Sequence, residues 1–120
     1  MQRARFVAAA AFGIALAGCS TGIPDLNEKP TKYYQETVTL KGRISRMQQL
    51  QGEVLMELAD AHEHRVLVRA PAPVDVQVDD WVKVKGIFVP EARVGDRIVY
   101  DLLQAEDVSH TTAPWFRNLF

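Results

Sequence analysis

Residues 38–44 read Val38-Thr39-Leu40-Lys41-Gly42-Arg43-Ile44, and residues 82–88 repeat the pattern Val-x-Val-Lys-Gly-x-Phe as Val82-Lys83-Val84-Lys85-Gly86-Ile87-Phe88. In the first copy Val38, Leu40 and Ile44 share one face with Gly42. Thr39, Lys41, Arg43 and Ser45 take the other face, which is the period-two pattern of a half-buried strand. A glycine in mid-strand offers no side chain to pack, so it marks a bend, a bulge or a barrel corner. Two glycines at equivalent places in two strands favour a closed barrel over a flat sandwich.

Three further strand-like runs surround these two. Residues 53–58 (Glu-Val-Leu-Met-Glu-Leu) and 65–69 (Arg-Val-Leu-Val-Arg) are joined by the polar stretch 59–64, which predicts a hairpin. The fourth strand covers 81–89, and residues 97–103 begin a fifth. Nothing between 36 and 109 has a helical period. Residues 70–78 carry Pro71 and Pro73 among alternating valines, so the third-to-fourth connection is extended or turn-like rather than a long helix. Val74, Val76 and Val78 are then available to plug the barrel's lower end. Trp81 and Tyr100 are read as core or edge residues of the barrel. From 37 to about 110 the chain resembles the OB-fold, through Val-x-Leu-Lys-Gly at 38–42, Val-Asp-Asp-Trp-Val at 78–82 and Leu-Gln-Ala-Glu-Asp-Val at 103–108. The resemblance implies an all-β fold, a small five-stranded OB-like Greek-key barrel with strand order 1-2-3-5-4-1. It would follow a cleaved signal peptide and lack a long helix between strands three and four.

The N-terminal segment has a different composition. Arg3 and Arg5 precede an apolar stretch from Phe6 to Leu16, followed by Ala17, Gly18 and the chain's single cysteine, Cys19. A charged start, a short apolar run and small residues form the layout of a secretory signal. The run is shorter than the roughly 20 residues a spanning helix needs. Leu16-Ala17-Gly18-Cys19 resembles the lipobox of bacterial lipoproteins. That resemblance implies cleavage before Cys19, a diacylglyceryl group on its sulfur and, with acylation of the amine, two or three chains. Two or more chains hold a membrane stably where one does not. Ser20, rather than aspartate, after the cysteine implies the outer membrane of a Gram-negative envelope, with the domain facing the periplasm.

The expected organisation is a signal peptide over 1–18, the lipidated cysteine with a flexible linker over 19–36, the barrel over 37–110 and an apolar tail over 111–120. The linker is inferred from Pro24, Pro30 and mixed charge in residues 20–35, which could reach about 55 Å when extended. Cleavage would remove Arg3 and Arg5 and take the formal charge from −1 to −3. A strongly basic footprint for nucleic acid is therefore lacking. With Cys19 consumed by lipid, neither a disulfide nor thiol redox catalysis is available.

Several residues are candidates for a site. Lys41, Arg43, Arg46, Arg65, Arg69, Lys83 and Lys85 alternate with buried positions as a solvated face does, and strands two and three offer no aromatic for base stacking, so nucleic acid is not an expected partner. His62 and His64, two apart in a turn, could share a soft or borderline cation, although exposed turns commonly carry histidine and no third ligand is evident. The plan also resembles in outline the haem chaperone of cytochrome c maturation, with His110 near the end of the ordered part. Pro114 stands where that family has tyrosine, and haem is not carried over. Asp79, Asp80, Glu106 and Asp107 assemble no nucleophile, base and orienter, so no enzyme is expected. The tail places Trp115, Phe116, Leu119 and Phe120 close together, either to cover a barrel mouth or to contact an envelope protein. The function expected is a noncatalytic binding or assembly module, lipid-anchored, without cofactor beyond the lipid on Cys19. The alternative is a periplasmic carrier of a metal, haem or oligosaccharide.

Overall fold

The structure, a computed structural model, describes residues 21–114. Two short helices, α1 (Ile23–Glu28) and α2 (Pro30–Tyr33), precede five strands. These are β1 (Thr37–Leu50), β2 (Glu53–Ala59), β3 (Arg65–Pro71), β4 (Trp81–Val94) and β5 (Arg97–His110). They close into one barrel in the order β1-β2-β3-β5-β4, with β4 returning to β1. All pairings are antiparallel except β3 with β5, which is parallel over Leu67–Arg69 and Leu102–Gln104. This is the closed barrel that the alternation and the two glycines predict, in the strand order that the resemblance to the OB-fold implies.

Both glycines sit where the barrel requires them. β1 pairs with β4 up to Arg43 opposite Trp81 and with β2 from Arg43 opposite Ala59, so Gly42 lies at the corner where the strand changes partner. A Cβ on Gly42 would come 3.1 Å from the Ala59 carbonyl oxygen and 3.5 Å from the Ile23 side chain. Gly86 lies at a register shift between β4 and β5, and a Cβ there would meet the Gln104 carbonyl oxygen at 2.2 Å. No L side chain fits without moving the backbone. A second register shift leaves Ser45 unpaired in β1, and its hydroxyl lies 2.8 Å from Glu57 Oε1.

Val38, Leu40, Ile44, Val54, Met56, Leu58, Val68, Val82, Val84, Phe88 and Leu103 fill the interior, each at most 4% exposed. The two ends are sealed differently. At the end where β3 begins, Ile23 and Leu26 of α1 insert into the core, each 1% exposed. Within the span 19–36, where a flexible linker is expected, residues 23–28 and 30–33 form α1 and α2, with Ile23 and Leu26 in the core. Ile23 and Leu26, three apart, present one apolar stripe, and Pro24 in the first turn costs no hydrogen bond because helix-starting N–H groups lack intrahelical partners. α2 is fastened by Tyr34, whose ring stacks on Phe88 at 5.5 Å between centroids and whose hydroxyl donates to the Asp101 carboxylate. That hydrogen bond, then partial burial, then the Asp101 charge raise the Tyr34 pKa.

At the opposite end, residues 72–78 form no helix, and Val74 and Val76 pack against the core. Val78 is 46% exposed and takes no part in the plug. Asp80 holds the turn before β4, accepting from the Gln77 N–H at 2.9 Å. Trp81 is half-buried at the start of β4, whereas Tyr100 is 64% exposed, outside the core.

Leu26→Ala is expected to destabilise the fold by about 2–5 kcal/mol, the range for emptying a buried leucine site. Gly86→Ala should cost more than Gly42→Ala, because its Cβ would meet a backbone oxygen at 2.2 Å rather than 3.1 Å. Urea unfolding of the three variants measures both; an unchanged midpoint for Leu26→Ala would return residues 23–28 to the status of a linker.

Candidate functional site

The outward faces of β2 and β3 alternate Glu53, Leu55, Glu57 and Arg65, Leu67, Arg69. Leu55 and Leu67 are apolar residues on the outside of a barrel, and they are covered. The distal halves of β4 and β5 extend beyond the barrel wall as a two-stranded arm, paired from Val89 opposite Leu102 to Val94 opposite Arg97. Val89, Val94 and Leu102 of the arm are 7%, 4% and 0% exposed and form a second apolar cluster with Leu50, Leu55 and Leu67. Arg69 clamps the arm to β3: its Nη1 donates to the Arg93 carbonyl at 2.6 Å, and its Nε lies 3.7 Å from Glu53.

Between the arm and the end of β1 lies a cleft of about 660 Å³. Leu55 and Leu67 line it, Gln48 and Leu50 stand on the β1 side, and Val94 and Val99 on the arm side. None of its lining residues is aromatic. Arg46 and Arg97 border it together with Glu57 and Asp96. Burial pushes the Glu57 carboxyl up, but hydrogen bonds from Ser45 and Arg65 and the charges of Arg65 and Arg46 outweigh it, so the net shift is downward. Residues 46–50 of β1 pair with β2 on one side, and among the described residues no strand pairs on the other.

The arm was legible in two places where alternation breaks. Ile87-Phe88-Val89 is an unbroken apolar run, and Leu102-Leu103 is an apolar doublet, so both faces of these strands are buried. Phe88 and Leu103 point into the barrel, whereas Ile87, Val89 and Leu102 point into the outer cluster.

His62 and His64 lie in the β2–β3 turn with ring centroids 6.5 Å apart, edge to face. Asp60 organises that turn. Its carboxylate accepts the N–H groups of His62 (2.8 Å) and His64 (2.9 Å), and His64 Nδ1 lies 2.9 Å from its other oxygen. Burial raises the Asp60 pKa, but the two backbone N–H groups and His64 lower it further, leaving it below the ordinary carboxylate value. Among the described residues no group of three His, Cys, Asp or Glu could hold a metal ion. His110 lies 3.2 Å from Asp80, at a different turn. Around the β2–β3 turn, Arg43 bridges Asp79 (3.3 Å) and Glu63 (3.6 Å), and Arg65 bridges Glu63 (3.1 Å) and Glu57 (2.8 Å). Cys19, Trp115, Phe116 and Phe120 lie outside the described residues.

No protein-family model and no curated protein matches the chain. Solved structures do. The chain is similar to an aspartyl-tRNA synthetase from Entamoeba histolytica, with 14% identity and a TM-score of 0.60 over 82% of this chain and 23% of that one. A Leishmania major protein described as an aspartyl-tRNA synthetase gives the same score and identity over 83% and 22%. The chain thus spans less than a quarter of these synthetases. The OBody AM3L09, solved bound to hen egg-white lysozyme, gives a TM-score of 0.55 at 11% identity over 69% of this chain and 88% of its own. These likenesses place the chain in the OB-like fold class.

Arg69→Ala is expected to speed amide exchange in residues 89–102 and to cost about 1–3 kcal/mol, as for a hydrogen bond from a charged donor. Exchange confined to the wild-type rate would show that the arm is held by apolar contact alone. For Asp60 the folded pKa is below the unfolded one, so its stabilisation is complete above the ordinary carboxylate value and is lost as pH falls through the folded pKa. Asp60→Asn should therefore flatten the acid limb of stability against pH; an unaltered limb would assign acid lability to other carboxylates.

Proposed function

We propose that this chain is a noncatalytic, lipid-anchored binding module of a bacterial envelope, and that the cleft beside the β4–β5 arm takes an extended segment of a protein partner. The signal-like start and Leu16-Ala17-Gly18-Cys19 support the anchor, with acyl chains on Cys19 as the only attached group. Ser20 supports outer-membrane placement facing the periplasm. The observation that carries the binding role is the edge of β1 at 46–50, which no described strand pairs, beside a cleft lined by Leu55 and Leu67 and bordered by Arg46, Glu57, Asp96 and Arg97. An unpaired strand edge offers main-chain hydrogen bonds to an added strand, and alternate side chains of that strand fall into adjacent pockets. Lack of aromatics in the cleft disfavours nucleobases and sugars, which bind by stacking. The OBody bound to lysozyme supplies a precedent for a barrel of this kind holding a protein. Trp115, Phe116 and Phe120 are a second candidate contact for the same partner.

Two measurements test the two halves of the proposal. Growth with an alkyne fatty acid should label the wild type and leave Cys19→Ser unlabelled and soluble; equal labelling would remove the anchor. A photo-crosslinking residue at Val99 should capture one envelope protein, and capture should vanish in Leu67→Glu when that variant melts like the wild type. If the purified protein instead carries a small molecule displaced by Leu67→Glu, the carrier reading replaces this one.

A further inference from the structure

α1 is locked to the barrel, and it begins close to the anchoring cysteine. Ile23 and Leu26 are each 1% exposed, and Gly22 and Asp25 bond reciprocally, N–H to Oδ2 at 3.0 Å and N–H to carbonyl at 3.1 Å. Four peptide links separate Cys19 from Ile23. At 3.3–3.6 Å per residue they reach at most about 14 Å in any conformation. β3, with seven residues, runs about 23 Å at 3.3 Å per residue. The tether is shorter than the barrel wall.

Resting on the lipid-anchor reading above, we infer that the barrel is seated on the bilayer surface, with its α1 end against the lipid headgroups. The face that meets the lipid is defined by the pairing. Leu26 and Asn27 of α1 border a small cleft with Arg65 and Val66, where β3 begins, so α1 and the β2–β3 turn share one end of the barrel. Lys29 and Lys32 are exposed beside that end, but so are Asp25 and Glu28 of α1, so the seating rests on the length of the tether and not on net charge. The acidic groups of the turn are already engaged: Asp60 by His64, and Glu63 by Arg43 and Arg65. The opposite end carries Leu50, which pairs with Glu53, which in turn pairs with Pro71. The free β1 edge and the cleft wall at Leu50 are thereby turned away from the membrane, toward an incoming partner.

The test uses the full-length lipidated protein in vesicles of phosphatidylethanolamine and phosphatidylglycerol that include a nickel-chelating lipid. Asn27→Cys and Gln51→Cys each introduce one free thiol for a nitroxide, because the sulfur of Cys19 is occupied by the acyl-bearing group. Headgroup nickel should relax the Asn27 nitroxide strongly and the Gln51 nitroxide weakly. A long Gly-Ser insert between Thr21 and Gly22 should abolish the difference. Equal relaxation at the two positions in acylated protein would overturn the seating while leaving the anchor intact. A mass spectrum of the same sample showing Cys19 without acyl groups would overturn the anchor itself, and the seating with it.

Discussion

A five-stranded barrel satisfies its backbone along the walls but leaves two open ends, and an apolar interior cannot face water at either. Everything else in this chain follows from how those ends are sealed. One is stopped by Ile23 and Leu26 of a six-residue helix, the other by Val74 and Val76 of an irregular connection. A helix as short as α1 is unstable alone in water, because nucleation costs more than so few hydrogen bonds return. Its stability comes from the two side chains it buries. Gly42 completes the fit, since the space a Cβ would occupy there borders the Ile23 side chain.

Sealing the ends leaves the outer wall free for other work. The arm that β4 and β5 send past the barrel gives Leu55 and Leu67 a cover, and so creates a second apolar cluster that the barrel itself does not require. Arg69 fixes the arm at one point, through a carbonyl rather than through a side chain, which makes the clamp independent of the residue at 93. The cleft is the space this cover leaves open toward β1.

What could be read from the chain, and what could not, divides along the length of the elements. The alternation in 38–45, the two glycines and the prolines of 71–73 gave the barrel, its corner and its helix-free connection, because each is a local pattern with a local cause. α1 was hidden because two apolar residues three apart make no period, and Pro24 is as much at home in a first helical turn as in a linker. The arm shows only as a break in alternation, because its strands bury both faces. The apolar run at 87–89 and the doublet at 102–103 carried the information. The role of Asp60 in its turn depends on backbone N–H groups that no side-chain pattern reveals.

The order of the strands along the wall also sets the order in which the molecule can become whole. β5 is the last strand among the described residues, yet it is the strand that joins β3 to β4, through three parallel pairs on one side and a long antiparallel ladder on the other. Until residues 102–104 are present, β3 has no neighbour there, Phe88 lacks Leu103, and the interior that receives Ile23 and Leu26 is not enclosed. The first segment and the last therefore become stable in the same event. Loop-closure entropy for contacts so distant in sequence is spent before they are rewarded, which makes assembly cooperative and slow relative to a helical domain of equal length.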